Sequence, residues 1–244
     1  MKKTLLAIFC LAMAYTSWAQ IEQGMMFNMD VGLGIPSEAA REVAEPSGSG
    51  TVAINMGLQK SLHSVGNITA LVGFQFTHLN MTHDEKHSPA DFGEITHDLE
   101  TNTSLLAPTI RFETSFGNFY PYVEAGAGLM MQRSNIVTSV TDPDASRANC
   151  TNTDITRTKL NDMQTQLGLQ SSVGLAYGLD NWKVHLSANF VKGTQSFLMP
   201  ERNFGDSFTF DDPSDHYNWQ SVRPDIMNIR LGMSFTLGTR CYGN

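Results

Sequence analysis

The sequence predicts an all-β chain: an eight-stranded antiparallel up-and-down barrel that crosses a membrane. Three observations predict it. Eight segments alternate apolar and non-apolar residues with period two, their connections alternate between short and long, and the non-apolar face carries too little charge to face bulk water.

The segments follow in order. In 25–35, Met25, Phe27, Met29, Val31, Leu33 and Ile35 share one face, and Met26, Asn28, Asp30, Gly32 and Gly34 the other. Segment 52–59 sets Val52, Ile54, Met56 and Leu58 against Ala53, Asn55, Gly57 and Gln59. Segment 68–77 sets Ile68, Val72, Phe74 and Phe76 against Thr69, Gly73, Gln75 and Thr77. Segments 105–116 and 120–132 flank Gly117-Asn118, two residues that tolerate the positive φ of a tight hairpin. In the first of them Leu106, Ile110 and Phe112 oppose Thr109, Arg111 and Glu113; in the second Val123, Ala125, Ala127 and Leu129 oppose Tyr122, Glu124, Gly126 and Gly128. Segments 163–179, 182–190 and 227–237 complete the set. Leu167, Leu169 and Val173 oppose Gln166, Gly168 and Gln170; Val184, Leu186 and Ala188 oppose Lys183, His185 and Ser187; Ile229, Leu231 and Met233 oppose Arg230, Gly232 and Ser234. Period two sustained over so many segments is a strand signal. Pro108 deletes a ladder hydrogen bond in mid-strand, where a bulge is expected.

Alternation alone leaves open which face is inside. A lipocalin-like barrel hides the apolar face; a membrane barrel turns it to lipid. The non-apolar face carries Asp30, Glu113 and Glu124 against Arg111, Lys183 and Arg230, with His185, and is otherwise mostly Gly, Ser, Thr, Asn and Gln. Balanced charge suits an enclosed interior in which ions must pair. Only 16% of all residues are charged, against about 25–35% on a soluble surface. The short connections are 63–67, Gly117-Asn118 and Asp180-Asn181; the long ones lie near 36–50, 80–98, 134–161 and 198–225. Short periplasmic turns and long external loops are the rhythm of outer-membrane barrels. Phe116, Phe119, Tyr120, Tyr177 and Trp182 gather near the short turns, as an interfacial girdle would. Arg111 is expected to pair with Glu113, Glu124 or both.

Residues 1–19 read as a Sec signal peptide: Lys2 and Lys3, an apolar stretch from Leu5 to about Tyr15, then Ser17-Trp18-Ala19. That stretch is shorter than the ~20 residues of a spanning helix. Residues 20–244 then form a single barrel domain. Basic residues are few and unclustered, which excludes nucleic acid as a partner. Cys150 falls in an external loop and Cys241 beyond the last strand on the periplasmic side, so the two are expected not to form a disulfide.

With its signal peptide, "FYPYVEAGAGLMM" and the turn–loop rhythm, the chain resembles the eight-stranded outer-membrane barrels of the OmpA-domain and OmpX type and the PorT-like outer membrane protein β-barrel families. The resemblance spans roughly 24–238. It implies the outer membrane of a Gram-negative bacterium, outer-membrane lipid as surroundings, a monomer, and no cofactor. The chain departs from the pattern at its end, where "MSFTLG" is followed by "TRCYGN" rather than stopping on a terminal aromatic.

Eight strands enclose a space that side chains fill, so the expected role is structural or one of surface interaction through the external loops, with an unidentified surface or periplasmic protein partner. Phe208, Phe210, Tyr217 and Trp219 in the fourth long loop are the contact candidates. The PorT-like resemblance implies instead a component of an export machinery, and a small-solute pore is a further reading. His78, His83, His87 and His97 bring imidazoles near carboxylates in the second loop, a donor set suited to zinc or copper, although Pro89 makes this segment read as loop rather than as a helix that could chelate. His185-x-Ser187 is similar in spacing to the lipid A deacylases of the PagL type, but parity puts both residues inside the barrel, away from lipid. No enzymatic activity is expected.

Overall fold

The computed structural model describes residues 25–36, 51–90, 93–141, 153–159, 162–179, 181–202 and 217–237. Among them run eleven strands: β1 (Met25–Pro36), β2 (Thr51–Val65), β3 (Ile68–Ala90), β4 (Gly93–Thr114), β5 (Phe119–Thr141), β6 (Thr153–Lys159), β7 (Gln164–Leu179), β8 (Trp182–Gly193), β9 (Phe197–Arg202), β10 (Tyr217–Val222) and β11 (Ile226–Leu237). Eight of them, β1, β2, β3, β4, β5, β7, β8 and β11, pair antiparallel in chain order. β11 returns to β1, from Met25 opposite Leu237 to Pro36 opposite Ile226, and closes the barrel. Closure leaves no spanning strand with an unpaired edge.

The turns at one end are tight for a local reason. Gly66 and Gly117 hold φ of 59° and 62°, and each is followed by Asn. The first turn is shorter than expected: β2 runs to Val65, which pairs with Ile68, so only Gly66-Asn67 turn. A bulge between Ser61 and His63 takes up the extra residue.

At the other end the strands outrun the segments read from alternation. β3, β4 and β5 are 23, 22 and 23 residues long, while β1, β8 and β11 have 12 each. Most of 80–98, expected as loop, is therefore hairpin: β3 stays paired to β4 as far as Ala90 opposite Gly93. Likewise β6 pairs with Asn135–Thr141 of β5, and β9 pairs with β10 above β8 and β11. These extensions lack apolar alternation because their outward face need not meet an apolar phase.

Pro108 makes no bulge. β4 keeps one register against β3 through Pro108 opposite Phe74, and one register against β5 from Leu106 opposite Leu129 to Thr109 opposite Gly126. The ladder to β5 lapses at Ala107–Pro108 without a shift. Glycine on the partner strand permits this: a Cβ on Gly128 would stand 2.0 Å from the Leu106 carbonyl oxygen. The backbones approach closely there instead of bulging.

Candidate functional site

The two faces of the wall are fully sorted. Facing out are Met29, Val31, Leu33, Ile54, Met56, Ile110, Phe112, Val123, Leu129, Val173, Leu186, Ile229, Leu231 and Phe235, all exposed. Facing in, on the alternate positions, Asn28, Asp30, Asn55, Gln59, Gln75, Arg111, Glu113, Glu124, Gln170, His185, Asn228 and Arg230 are buried. A molecule with an apolar exterior and a charged interior is inverted relative to a soluble domain, and only a hydrocarbon surrounding makes that arrangement favourable. The chain is a membrane-spanning β-barrel.

Inside the barrel the charges form a connected set. Arg111 Nη2 donates to Glu113 Oε2 at 2.9 Å, along one strand two residues apart. Lys183, partly exposed, reaches the other oxygen of Glu113 from β8. The Arg111 guanidinium also lies 3.5 Å from the centre of the Tyr122 ring, and Lys183 lies 3.8 Å from that of Tyr120. Tyr120 therefore belongs to the interior and not to the girdle expected near the turns. Phe119 and Tyr177 do face outward there, edge to face at 5.1 Å.

Glu124 stands opposite Arg111 in register but is held by neutral donors instead. Gln59 Nε2 reaches it across the lumen at 2.5 Å, and Ser172 Oγ lies 3.5 Å from its second oxygen. The sequence placed Gln59 on the inner face but carried no sign of this contact, which joins strands not adjacent in the wall. A second centre surrounds Asp30. Asn55 Nδ2 donates to it at 2.6 Å, Arg230 Nη1 lies 3.8 Å away, and His185 Nε2 lies 3.1 Å away, at an angle that makes it an electrostatic contact rather than a hydrogen bond. Tyr122 OH, 3.4 Å from His185 Nδ1, ties the two centres together. Ser187, like His185, is buried on the inner face, where lipid cannot reach it.

Two glycines make room for this set. A Cβ on Gly174 would meet the Tyr122 ring at 2.4 Å, and one on Gly232 would meet Asp30 Oδ1 at 1.9 Å. Toward the loop end the lining turns apolar: Leu79, Leu105, Met130, Val191, Phe197, Val222 and Ile226 are buried together. Gln164 bonds both the N–H and the carbonyl of Leu198, each at 2.9 Å, and Gln166 accepts from Gln195 N at 2.6 Å. These bonds hold the start of β9 against β7 and place Phe197 in that layer.

The histidines are spread along the β3–β4 hairpin. His78 faces outward, stacks at 6.3 Å on Phe76, and its Nδ1 lies 2.9 Å from Ser104 Oγ. In backbone register Lys86 opposes His97 and His87 opposes Thr96, with a shift between His83 and Glu85. The side chains of His83, His87 and His97 lie outside the described residues, so the metal reading is neither assembled nor dispersed by them. Phe208 and Phe210, like Cys150, Cys241 and the leader, also fall outside. Tyr217 and Trp219 are strand residues of β10, opposite Arg202 and Pro200, rather than free loop.

No protein-family model matches the chain, and no curated protein matches its sequence. Solved structures do resemble it. Neisserial surface protein A is 11% identical, with 88% of this chain and 97% of that one covered and a TM-score of 0.44. Ail of Yersinia pestis, solved with the heparin analogue sucrose octasulfate, is 9% identical, with 89% and 100% covered and a TM-score of 0.42. The outer membrane protease OmpT of Escherichia coli is also 9% identical, with 88% and 94% covered and a TM-score of 0.39. A surface protein, an attachment protein and a protease in one set assign no activity to this barrel.

Proposed function

We propose that this barrel is a monomeric, non-enzymatic surface-interaction protein, anchored by a filled interior and contacting its partner through the outer hairpins. The observation that carries this reading is the inequality of the strands. A tilted membrane strand needs about 9–11 residues, which β1, β8 and β11 barely exceed, whereas β3, β4 and β5 are about twice that length. Roughly half of each long strand stands outside the membrane, and β6 widens that outer part to four strands. Rigid paired backbone loses less entropy on binding than a free loop would. The interior supports an anchoring role, since the buried apolar layer and the polar network below it occupy the path a solute would take.

Two measurements test this. Replacing residues 82–100 with a Gly-Asn turn should leave a heat-modifiable barrel in the membrane but abolish capture of its cross-linked partner from intact cells. Full capture by that variant, and by one lacking 203–216, would contradict the reading. Planar bilayers containing wild-type barrel should show no regular conductance; steps on the nanosiemens scale would refute the filled interior.

A further inference from the structure

On the loop side, the outward face changes from apolar to polar within one pair of positions. Along β3 the outward residues run Phe74, Phe76, His78, Asn80; along β4, from the membrane outward, Pro108, Leu106, Ser104, Asn102; along β5, Leu129, Met131, Arg133. Register sets these side by side. His78 opposes Ser104, which opposes Met131; one step further from the membrane, Asn80 opposes Asn102, which opposes Arg133. Arg133 is exposed and makes no ion pair among the described residues. Glu100 lies a further step out, opposite Asn135, beyond the Arg133 row.

We propose that Arg133, Asn102 and Asn80, with His78 and Ser104 beneath them, bind the phosphate of a lipid in the outer leaflet, whose acyl chains lie on the wall below. The proposal rests on the placement in the outer membrane and is independent of the protein partner. Three features support it. The patch sits where the apolar wall ends, at the depth of lipid headgroups. Arginine presents a planar fork of donors that fits phosphate in two-point fashion. Directly opposed side chains in adjacent strands are about 4.5–5.5 Å apart, so a single phosphate spans from the guanidinium to the Asn102 amide. Below the exposed Leu106 and Leu129, Pro108 and Ala127 are small or flat, between Phe74 on β3 and Leu169 on β7. Lys192, an outward cation elsewhere on the wall, stands opposite Leu169.

The test is native mass spectrometry of the full-length barrel in detergent. It is titrated with bis-phosphorylated lipid A, with the same lipid A after dephosphorylation, and with inorganic phosphate as competitor. The phosphorylated lipid is expected to be retained and the dephosphorylated lipid lost. Arg133→Gln should weaken retention roughly tenfold, as expected for one lost charge-assisted pair. Asn102→Leu, which leaves net charge unchanged, should weaken it severalfold, and Lys192→Gln should have no effect. Heat-modifiable mobility of each variant confirms a closed barrel, so loss of lipid is read apart from loss of fold. Equal retention of both lipids, or wild-type retention by Arg133→Gln and Asn102→Leu together, overturns the proposal. Displacement by millimolar phosphate overturns it as a lipid site.

Discussion

Replacing Arg111 with alanine is expected to destabilise the refolded barrel by about 3 kcal/mol, the lower end of the cost of breaking a buried ion pair. Arg111 is 2% exposed and holds Glu113 at 2.9 Å. Its removal leaves Glu113 with Lys183 alone, which stands partly in water at the turn end, and takes the cation from the face of Tyr122. Lys192→Ala, outward and exposed, should cost less than about 1 kcal/mol, as exposed charges do. Urea titration of the two variants in lipid vesicles measures the difference. Equal midpoints would mean that the inner face is solvated, and would return the lipocalin-like arrangement to consideration.

Gly232→Leu should do at least as much harm, on the order of 5 kcal/mol, by adding overpacking to the displacement of a buried carboxylate. Asp30 stands opposite Gly232 across the closing seam between β1 and β11, and its Oδ1 lies 1.9 Å from where a Cβ would be. Any side chain there drives Asp30 away from Asn55, His185 and Arg230. Met233→Leu, the next residue but outward, changes only the lipid-facing surface and should be close to neutral. The exchange Asp30→Gly with Gly232→Asp relieves the overlap and keeps a carboxylate beside His185, which opposes Gly232. It should recover part of the loss. Unfolding midpoints of the three variants test this, and a Gly232→Leu barrel as stable as wild type would show that Asp30 has no fixed place in the lumen.

Sorting the wall into two faces required only the period of a strand, because a pleated backbone turns alternate side chains to opposite sides whatever its partners. That is why Asp30, Arg111, Glu113, Glu124, His185 and Arg230 could be placed inside from sequence. Their contacts required register, which parity does not carry. Arg111 bonds Glu113 on its own strand, whereas Glu124, directly opposite, is taken by Gln59 from across the lumen. Tyr120 carried two opposed signals: parity with Tyr122 puts it on the inner face, whereas nearness to a turn suggested an interface aromatic; the structure follows parity, and the Tyr120 ring covers Gly178, which has no side chain to block it. The long outer strands were missed for a different reason. Beyond His78 and Arg133 the outward face no longer has to be apolar, so the alternation that marks a strand disappears while backbone pairing continues.

The central claim is that the apolar face of each barrel strand meets lipid and the polar face is enclosed. Spin labels placed one at a time on β11, at Met227, Asn228, Ile229, Leu231, Met233 and Ser234 in a chain with Cys150 and Cys241 replaced by serine, test it most directly. Collision with oxygen, which partitions into bilayers, should be high at 227, 229, 231 and 233 and low at 228 and 234, giving a period of two. High collision with a water-soluble nickel chelate at 229, 231 and 233, without that oxygen response, would contradict the account and place the apolar face outside any membrane.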